Sequence, residues 1–507
     1  MLYVSIFVEL LRARPALAMW IAAVAQAALW TLVPALFYAG PPGDVPAVLA
    51  IGHEFQLGTF LGPPLAFWLA EIVFDLGGHS LFGIYVLSQV CVVVTYWAVF
   101  ALGRAIVGAQ HAALAVLLMV GISTFTVPTP DFGPVTLTMP LWAIILLHYW
   151  RAVGEGRRGY WVAIAVEIGL LLLTTYAGLL LVGLLLVFTL ANKQARATLA
   201  STDPWFAGVV AVIVMFPHLI WLAGSGEGIL PVLGRLRSPE SVVDNFGAWL
   251  KQMALILGAH AGLVVLVALV AGWPWARQDR SPVIVRPAVG ALGRHFVYFF
   301  AVVPVFAATF FAVLIGLSGP VGGIAPLVIL SGLAVIVAAG DSIELAHQHV
   351  VISAWFGLLC VPPVMAIVAL IALPWLAVDL SVNLPVNTMA PFFADSFQRR
   401  VGSALPIVAG EPRTAALLAL AAPSRPSLFL DAAPERSPWV TMTDIKTRGA
   451  ILVWPTTDTA GTPPADIKEH FPDLVPEVPR AFERPVQGQL PLLRIGWAVI
   501  RPQPDDR

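Results

Sequence analysis

Apolar runs long enough to cross a bilayer recur along almost the whole of this chain, at roughly 19–38, 82–103, 111–127, 133–150, 161–173, 176–191, 205–223, 249–271, 295–317, 320–340 and 350–377. A hydrocarbon core takes roughly 20 residues of helix to span, and lipid offers no partner for a free backbone N–H or C=O. Repeated runs of this length therefore predict a polytopic α-helical membrane protein with about eleven transmembrane helices. The 161–191 stretch is read as two crossings, because Thr174 and Thr175 stand where a tight outside hairpin would fall.

Composition agrees with lipid as the solvent: 59% of residues are hydrophobic and 11% charged, against about 25% charged in soluble domains. A net charge of -1 removes the basic face that nucleic-acid binding requires. Cys91 and Cys360 both lie inside apolar runs, which excludes a disulfide framework and cysteine-held metal. The first run has no small-residue cleavage site before a polar mature domain, so it is expected to be a retained span. Ahead of it, Leu2 to Leu11 is an apolar stretch suited to the cytoplasmic interface.

Orientation follows from the loops. In the loops between the runs, Arg12, Arg14, Arg104, Arg151, Arg157, Arg158, Lys193, Arg196, Arg277, Arg280, Arg286 and Arg294 fall on one side of the membrane, and only Arg235 and Arg237 on the other. The positive-inside rule then places the N-terminus in the cytoplasm, and an odd number of crossings places the chain after about Asp379 outside. Residues 1–378 are expected to form the membrane domain, with a long first outside loop at 39–81, and residues 379–507 a small outside α/β domain. Its short apolar runs, Leu405 to Ala409, Ser427 to Leu430 and Ala450 to Trp454, read as strands. The helical stretch Thr414 to Ala421 separates the first two. No internal repeat and no pair of matching halves of the transporter kind is visible.

Charged groups beside or within the bilayer are costly and so are the places to look for chemistry. The first outside loop carries Asp44, His53, Glu54, Glu71 and Asp75 and has no Lys or Arg. Carboxylates in such a loop suit a general base or a divalent cation site. Each also has a plainer reading. Asp44 precedes Val45–Pro46 and suits a helix cap, Glu71 and Asp75 stand four apart as on a wetted helix face, and His53 and Glu54 fit a solvated loop. Glu167, inside a span, is expected to be buried and hydrogen-bonded.

One pattern goes beyond composition. Asp44 is followed by Gly58-Thr59-Phe60-Leu61-Gly62-Pro63-Pro64-Leu65 directly after the first span, and Thr129-Pro130-Asp131 stands in the next outside loop. This resembles the polyprenyl-phosphate-dependent glycosyltransferases of the protein-mannosyltransferase and lipid A aminoarabinose-transferase type. That family has an acid opening the first loop, a Gly-Tyr-Phe-x-His-Pro-Pro-Leu-like string, and a Thr-Pro-Asp segment. This chain has Leu61-Gly62 where Asp-His is common, Val45 where many members carry a second acid, and Thr174-Thr175-Tyr176 where Ser-Lys-Tyr is usual. Phe216-Pro217-His218-Leu219-Ile220-Trp221 is similar to the family's Pro-x-x-Ile-Trp span end.

The resemblance implies a GT-C fold in the bacterial cytoplasmic membrane, with the C-terminal domain in the periplasm. It implies transfer of a sugar from a polyprenyl-phosphate donor to a lipid, glycan or protein acceptor. Asp44 and Asp131 would be catalytic or hold a divalent metal, Arg235 and Arg237 would pair with the donor phosphate, and His53, Glu54, Pro63, Pro64 and Tyr176 would line the cavity. The C-terminal domain would dock the acceptor. Two other readings stand beside it: a glycolipid carrier, which would call for polar residues along the spans, and an inactive relative serving as a scaffold.

Overall fold

A computed structural model describes residues 2–224, 242–271, 283–344, 347–430 and 437–503. The chain packs as two units: residues 1–32, 86–130 and 134–364, and residues 33–85, 131–133 and 365–507. The second unit is wider than the C-terminal segment alone, since it takes in the segment between α2 and α5 and Asp131.

In chain order the helices are α1 (Leu2–Ala13), α2 (Pro15–Phe37), α3 (Val45–Gly52), α4 (Leu65–Leu76), α5 (Leu81–Val107), α6 (Ala109–Met119), α7 (Pro134–Tyr149), α8 (Tyr160–Leu172), α9 (Gly178–Ala191), α10 (Lys193–Arg196) and α11 (Asp203–Gly224). They are followed by α12 (Val242–Ala259), α13 (Ala261–Ala271), α14 (Ala291–Leu314), α15 (Ile324–Leu327), α16 (Ser331–Ala338) and α17 (Gln348–Ala372). Among the described residues five helices are long and apolar enough to cross a membrane, or up to seven if two bent pairs each count as one span. Three shorter apolar helical stretches, Ala109–Met119, Tyr160–Leu172 and Ile324–Ala338, fall below spanning length. Leu81–Val107 is 61% buried across its most apolar window, whereas Asp203–Gly224 and Gln348–Leu376 are 17% buried. The last two leave most of their apolar surface for lipid to cover.

The first unit's breaks have local causes. The helix stops at Leu172 and restarts at Gly178, and the Thr174 hydroxyl donates to the Leu170 carbonyl at 2.8 Å. α12 and α13 meet at a 51° bend. There the Leu263 N–H leaves the helical pattern and donates to the Gly121 carbonyl at 2.9 Å, while the His260 ring bridges the Ile256 carbonyl at 2.7 Å and the Ser331 hydroxyl at 2.9 Å. The approach is so close that a Cβ on Gly121 or Gly262 would strike the other's backbone or its neighbours. Glu167 is paired as burial demands, its carboxylate 2.6 Å from His148 Nδ1. At the other edge, β1 (Val283–Val285) pairs antiparallel with β2 (Ser342–Glu344). The buried Arg286 side chain donates to the Gly340 carbonyl at 2.9 Å, just beyond α16.

In the second unit the C-terminal segment carries α18 (Val386–Val401), β3 (Ile407–Gly410), α19 (Pro412–Ala421), β4 (Ser427–Leu430), α20 (Met442–Arg448), β5 (Ala450–Pro455), α21 (Ala465–His470), β6 (Glu477–Phe482) and β7 (Leu493–Ile500). The five strands form one sheet in the order β4-β3-β5-β7-β6. β3 lies parallel to both β4 and β5, and α19 supplies the crossover that a parallel pair requires. β7 runs antiparallel to β5 and β6. Ile407, Ala409, Phe429, Ile445, Leu452 and Trp454 form the core against this sheet. The segment after α2 is tied into the same unit: the Ala39 and Gly40 N–H groups both donate to the Val382 carbonyl, at 2.9 and 3.0 Å. Arg484 holds Asp379 with two hydrogen bonds, at 2.7 and 3.2 Å.

Candidate active site

The segment that joins α2 to α3 makes a turn that only glycine can make. Gly43 sits at φ +49°, and a Cβ there would fall on the Asp131 carboxylate. The turn aims the start of α3 at Asp131. Asp44 occupies the N-cap position, but its side chain makes no capping bond. The cap is supplied from 87 residues away: the Asp44 N–H donates to Asp131 Oδ1 at 3.0 Å, and the Val45 N–H reaches the same carboxylate. Helix N-termini favour an anion there. The helix-cap reading of Asp44 is thereby corrected: its carboxylate stands exposed beside a cap provided by Asp131.

Asp131 is an unusual acid. Burial and the neighbouring Asp44 charge push its pKa up to about 7, against the pull of the two backbone N–H donors and of Arg413. An acid poised near neutrality can both take and give a proton. Arg413 lies in the first turn of α19 and was not singled out by sequence reasoning, because 282 positions of chain separate it from Asp131.

The far end of α3 is anchored by a second set of charges. Glu71, on α4, is fully buried, and Arg425 Nη2 grips both of its oxygens at 2.6 and 2.7 Å. His53, the C-cap of α3, contributes Nδ1 at 2.9 Å. Burial raises the Glu71 pKa, but the hydrogen bond from His53 and the Arg425 charge outweigh it, so the group ionises below its ordinary range. The same hydrogen bond raises His53. The expected wetted face of α4 is corrected on this point: Asp75 is exposed and pairs with His79 at 3.1 Å, whereas Glu71 is sealed from water. An ionised carboxylate survives such burial only with close cationic partners. Glu54 is partly buried, and burial raises its pKa.

Between these ends the loop closes on itself through paired Thr59 and Gly62 backbone bonds, both 3.0 Å, and the Trp68 indole donates to the Gln56 carbonyl at 2.9 Å. Pro63 and Pro64 are buried, and Pro64 starts α4. Tyr176 belongs to the first unit, where its hydroxyl meets His218 Nε2 at 2.9 Å. Arg235 and Arg237 lie outside the described residues. For a divalent metal, the described residues bring no group of three or more His, Cys, Asp or Glu together. Asp44 and Asp131 offer two carboxylates, and one of these is already engaged by backbone N–H donors.

This chain shares its fold, a helical body joined to a small C-terminal sheet, with ArnT. Its structure matches ArnT from Cupriavidus metallidurans in the apo state with a TM-score of 0.60 at 13% identity, over 96% of this chain and 98% of that one. ArnT from Cupriavidus metallidurans bound to undecaprenyl phosphate matches with a TM-score of 0.50 at 15% identity, over 94% and 97%. Residues 62–221 match the family described as Dolichyl-phosphate-mannose-protein mannosyltransferase, a stretch that includes Asp131. No curated protein sequence matches the chain significantly.

Proposed function

We propose that this chain is a membrane glycosyltransferase that moves a sugar from a polyprenyl-phosphate donor to an acceptor hydroxyl or amine of a lipid, glycan or protein on the periplasmic side. The observation that carries this reading is the juxtaposition of Asp44 and Asp131 at the start of α3. Asp44, exposed, orients the incoming acceptor, and Asp131, with a pKa of about 7, accepts its proton as the bond to the anomeric carbon forms. The donor phosphate leaves carrying its negative charge, for which Arg235 and Arg237 are the proposed partners. The fold match to a protein crystallised with undecaprenyl phosphate, and the mannosyltransferase pattern over 62–221, support the same donor class. In this reading the three shorter apolar stretches and α7 also cross the bilayer, giving about eleven spans with the N-terminus inside and the segment after Asp379 outside.

A divalent ion is the other use of two carboxylates, and the proton role is preferred because N–H donors already point at Asp131. The test is sugar transfer by purified protein in lipid nanodiscs, with undecaprenyl-phosphate sugars and a panel of envelope lipids as acceptors. Asp131→Asn is expected to lose about a hundredfold in kcat with donor binding kept, the scale of lost acid–base catalysis, and Asp44→Asn about as much through a misplaced acceptor. Unchanged transfer would remove Asp44 from the chemistry. A wild type that binds undecaprenyl phosphate but transfers nothing across the panel would favour the inactive scaffold reading, and loss of activity in a chelator would restore the metal.

A further inference from the structure

α3 is a short rod with chemistry at one end and an anchor at the other. Its eight residues give a length of about 12 Å. At the N-terminal end, Asp44 meets Asp131. At the C-terminal end, Gly52 lies so close to α4 that a Cβ on it would strike the Phe67 carbonyl and come within 3.2 Å of Glu71 Cβ. His53 binds Glu71 beside that contact. Whatever fixes Glu71 therefore fixes the rod.

Arg425 does the fixing from the C-terminal segment, 354 residues away in the chain. It stands in the turn between α19 and β4 at φ +46°, a left-handed conformation that an arginine adopts only where its contacts hold it there. Those contacts are the two bonds to Glu71, a bond from Nη1 to the Leu420 carbonyl at 3.3 Å, and the face of Phe74, whose ring centre lies 4.9 Å from the guanidinium carbon. α19 itself packs along α3.

We propose that Arg425 is a positioning residue for the transfer reaction: by gripping Glu71 it locks the far end of α3 and so holds Asp44 in register with Asp131. This rests on the glycosyltransferase reading for its catalytic consequence, but not for its structural one. The C-terminal segment is then a working part of the site as well as a neighbour to it. Misplacing a reacting group by ~1 Å costs about a hundredfold in rate, so a small tilt of the rod is enough.

The experiment is hydrogen exchange by mass spectrometry on the full chain in nanodiscs, with transfer kinetics on the same samples. In Arg425→Met, the Asp44 and Val45 amides are expected to exchange at least about tenfold faster while the β5 and β7 amides keep their protection. Arg425→Lys should restore part of that protection, since a cation remains. Transfer should lose kcat by about a hundredfold with donor KM within about twofold. Glu71→Gln, read in parallel, must give the same pattern and decides the matter should Arg425→Met not fold. Unchanged Asp44 and Val45 amides in the folded variants would overturn the proposal, and so would equal loosening of β5 and β7. A wild type without transfer would sink the functional reading while the exchange data still judged the lock.

Discussion

Asp131 caps a helix N-terminus, an environment that ordinarily favours the carboxylate ion, and yet its pKa is pushed up to about 7. Burial and the Asp44 charge outweigh two backbone N–H donors and Arg413. The sign of the linkage follows. A carboxyl raised from 3.8 to about 7 keeps a proton in the folded chain that the unfolded chain has released. Its stabilising contribution is whole below pH 3.8 and is lost as pH rises through about 7. Thermal unfolding in nanodiscs at pH 5 and pH 8 should therefore show a fall that is smaller in Asp131→Asn. As a proton acceptor, the same group should make kcat/KM rise with pH and level off above about 7, an inflection absent from Asp131→Asn. Gly43 gives the sharper steric test. Gly43→Ala forces a left-handed alanine and a Cβ into the Asp131 carboxylate, so transfer should drop as far as in Asp44→Asn with the sheet's stability unchanged. Normal turnover by Gly43→Ala would mean the Asp44–Asp131 juxtaposition is not the reacting geometry.

Elements were legible in the sequence to the extent that their cause is local. The runs at Leu405, Ser427 and Ala450 cover most of β3, all of β4 and most of β5, because their residues are apolar and bounded by turn formers. β6 escaped notice because it is a largely exposed edge strand interrupted by Pro479. The break between α8 and α9 was marked by Thr174 and Thr175, and the 320–340 run hides the stop between α15 and α16. The site was legible only in halves: family-like strings pointed to Asp44 and Asp131, but neither the Gly43 turn nor the grip of Arg425 on Glu71 leaves a local trace, since the partners are 354 residues apart. The α12–α13 bend was equally unreadable, and it yields a contrast that can be measured. Gly262→Val drives a branched side chain into the Gly121 backbone and should lower the thermal midpoint by several degrees. Gly258→Ala, one turn earlier and facing open space, should hold or raise the midpoint, since alanine gains about 0.5–1 kcal/mol of helix propensity over glycine. Equal behaviour of the two would show that the close approach of Gly121 and Gly262 carries no weight.

At the scale of the molecule, orientation is what turns a fold into a function, because a lipid-linked sugar and its acceptor are met on one face of the membrane only. In the loops of the membrane part, twelve Lys and Arg positions on one side against Arg235 and Arg237 on the other argue for a cytoplasmic N-terminus. An odd number of crossings then puts Asp44, Asp131 and the sheet outside together. Odd and even counts make opposite predictions for the sheet, and a single labelling experiment separates them. Cys91 is buried, so Cys360→Ala leaves a chain with no reactive thiol, on which one cysteine at a time can be placed. Gln194→Cys, exposed after α9, should react with a membrane-impermeant maleimide only once cells are opened. Thr459→Cys, exposed in the loop after β5, should react in intact spheroplasts. Were both to react only after lysis, the crossing count would be even between them, the sheet would be cytoplasmic, and a donor delivered to the outer face could not meet a site built in part from Arg413 and Arg425.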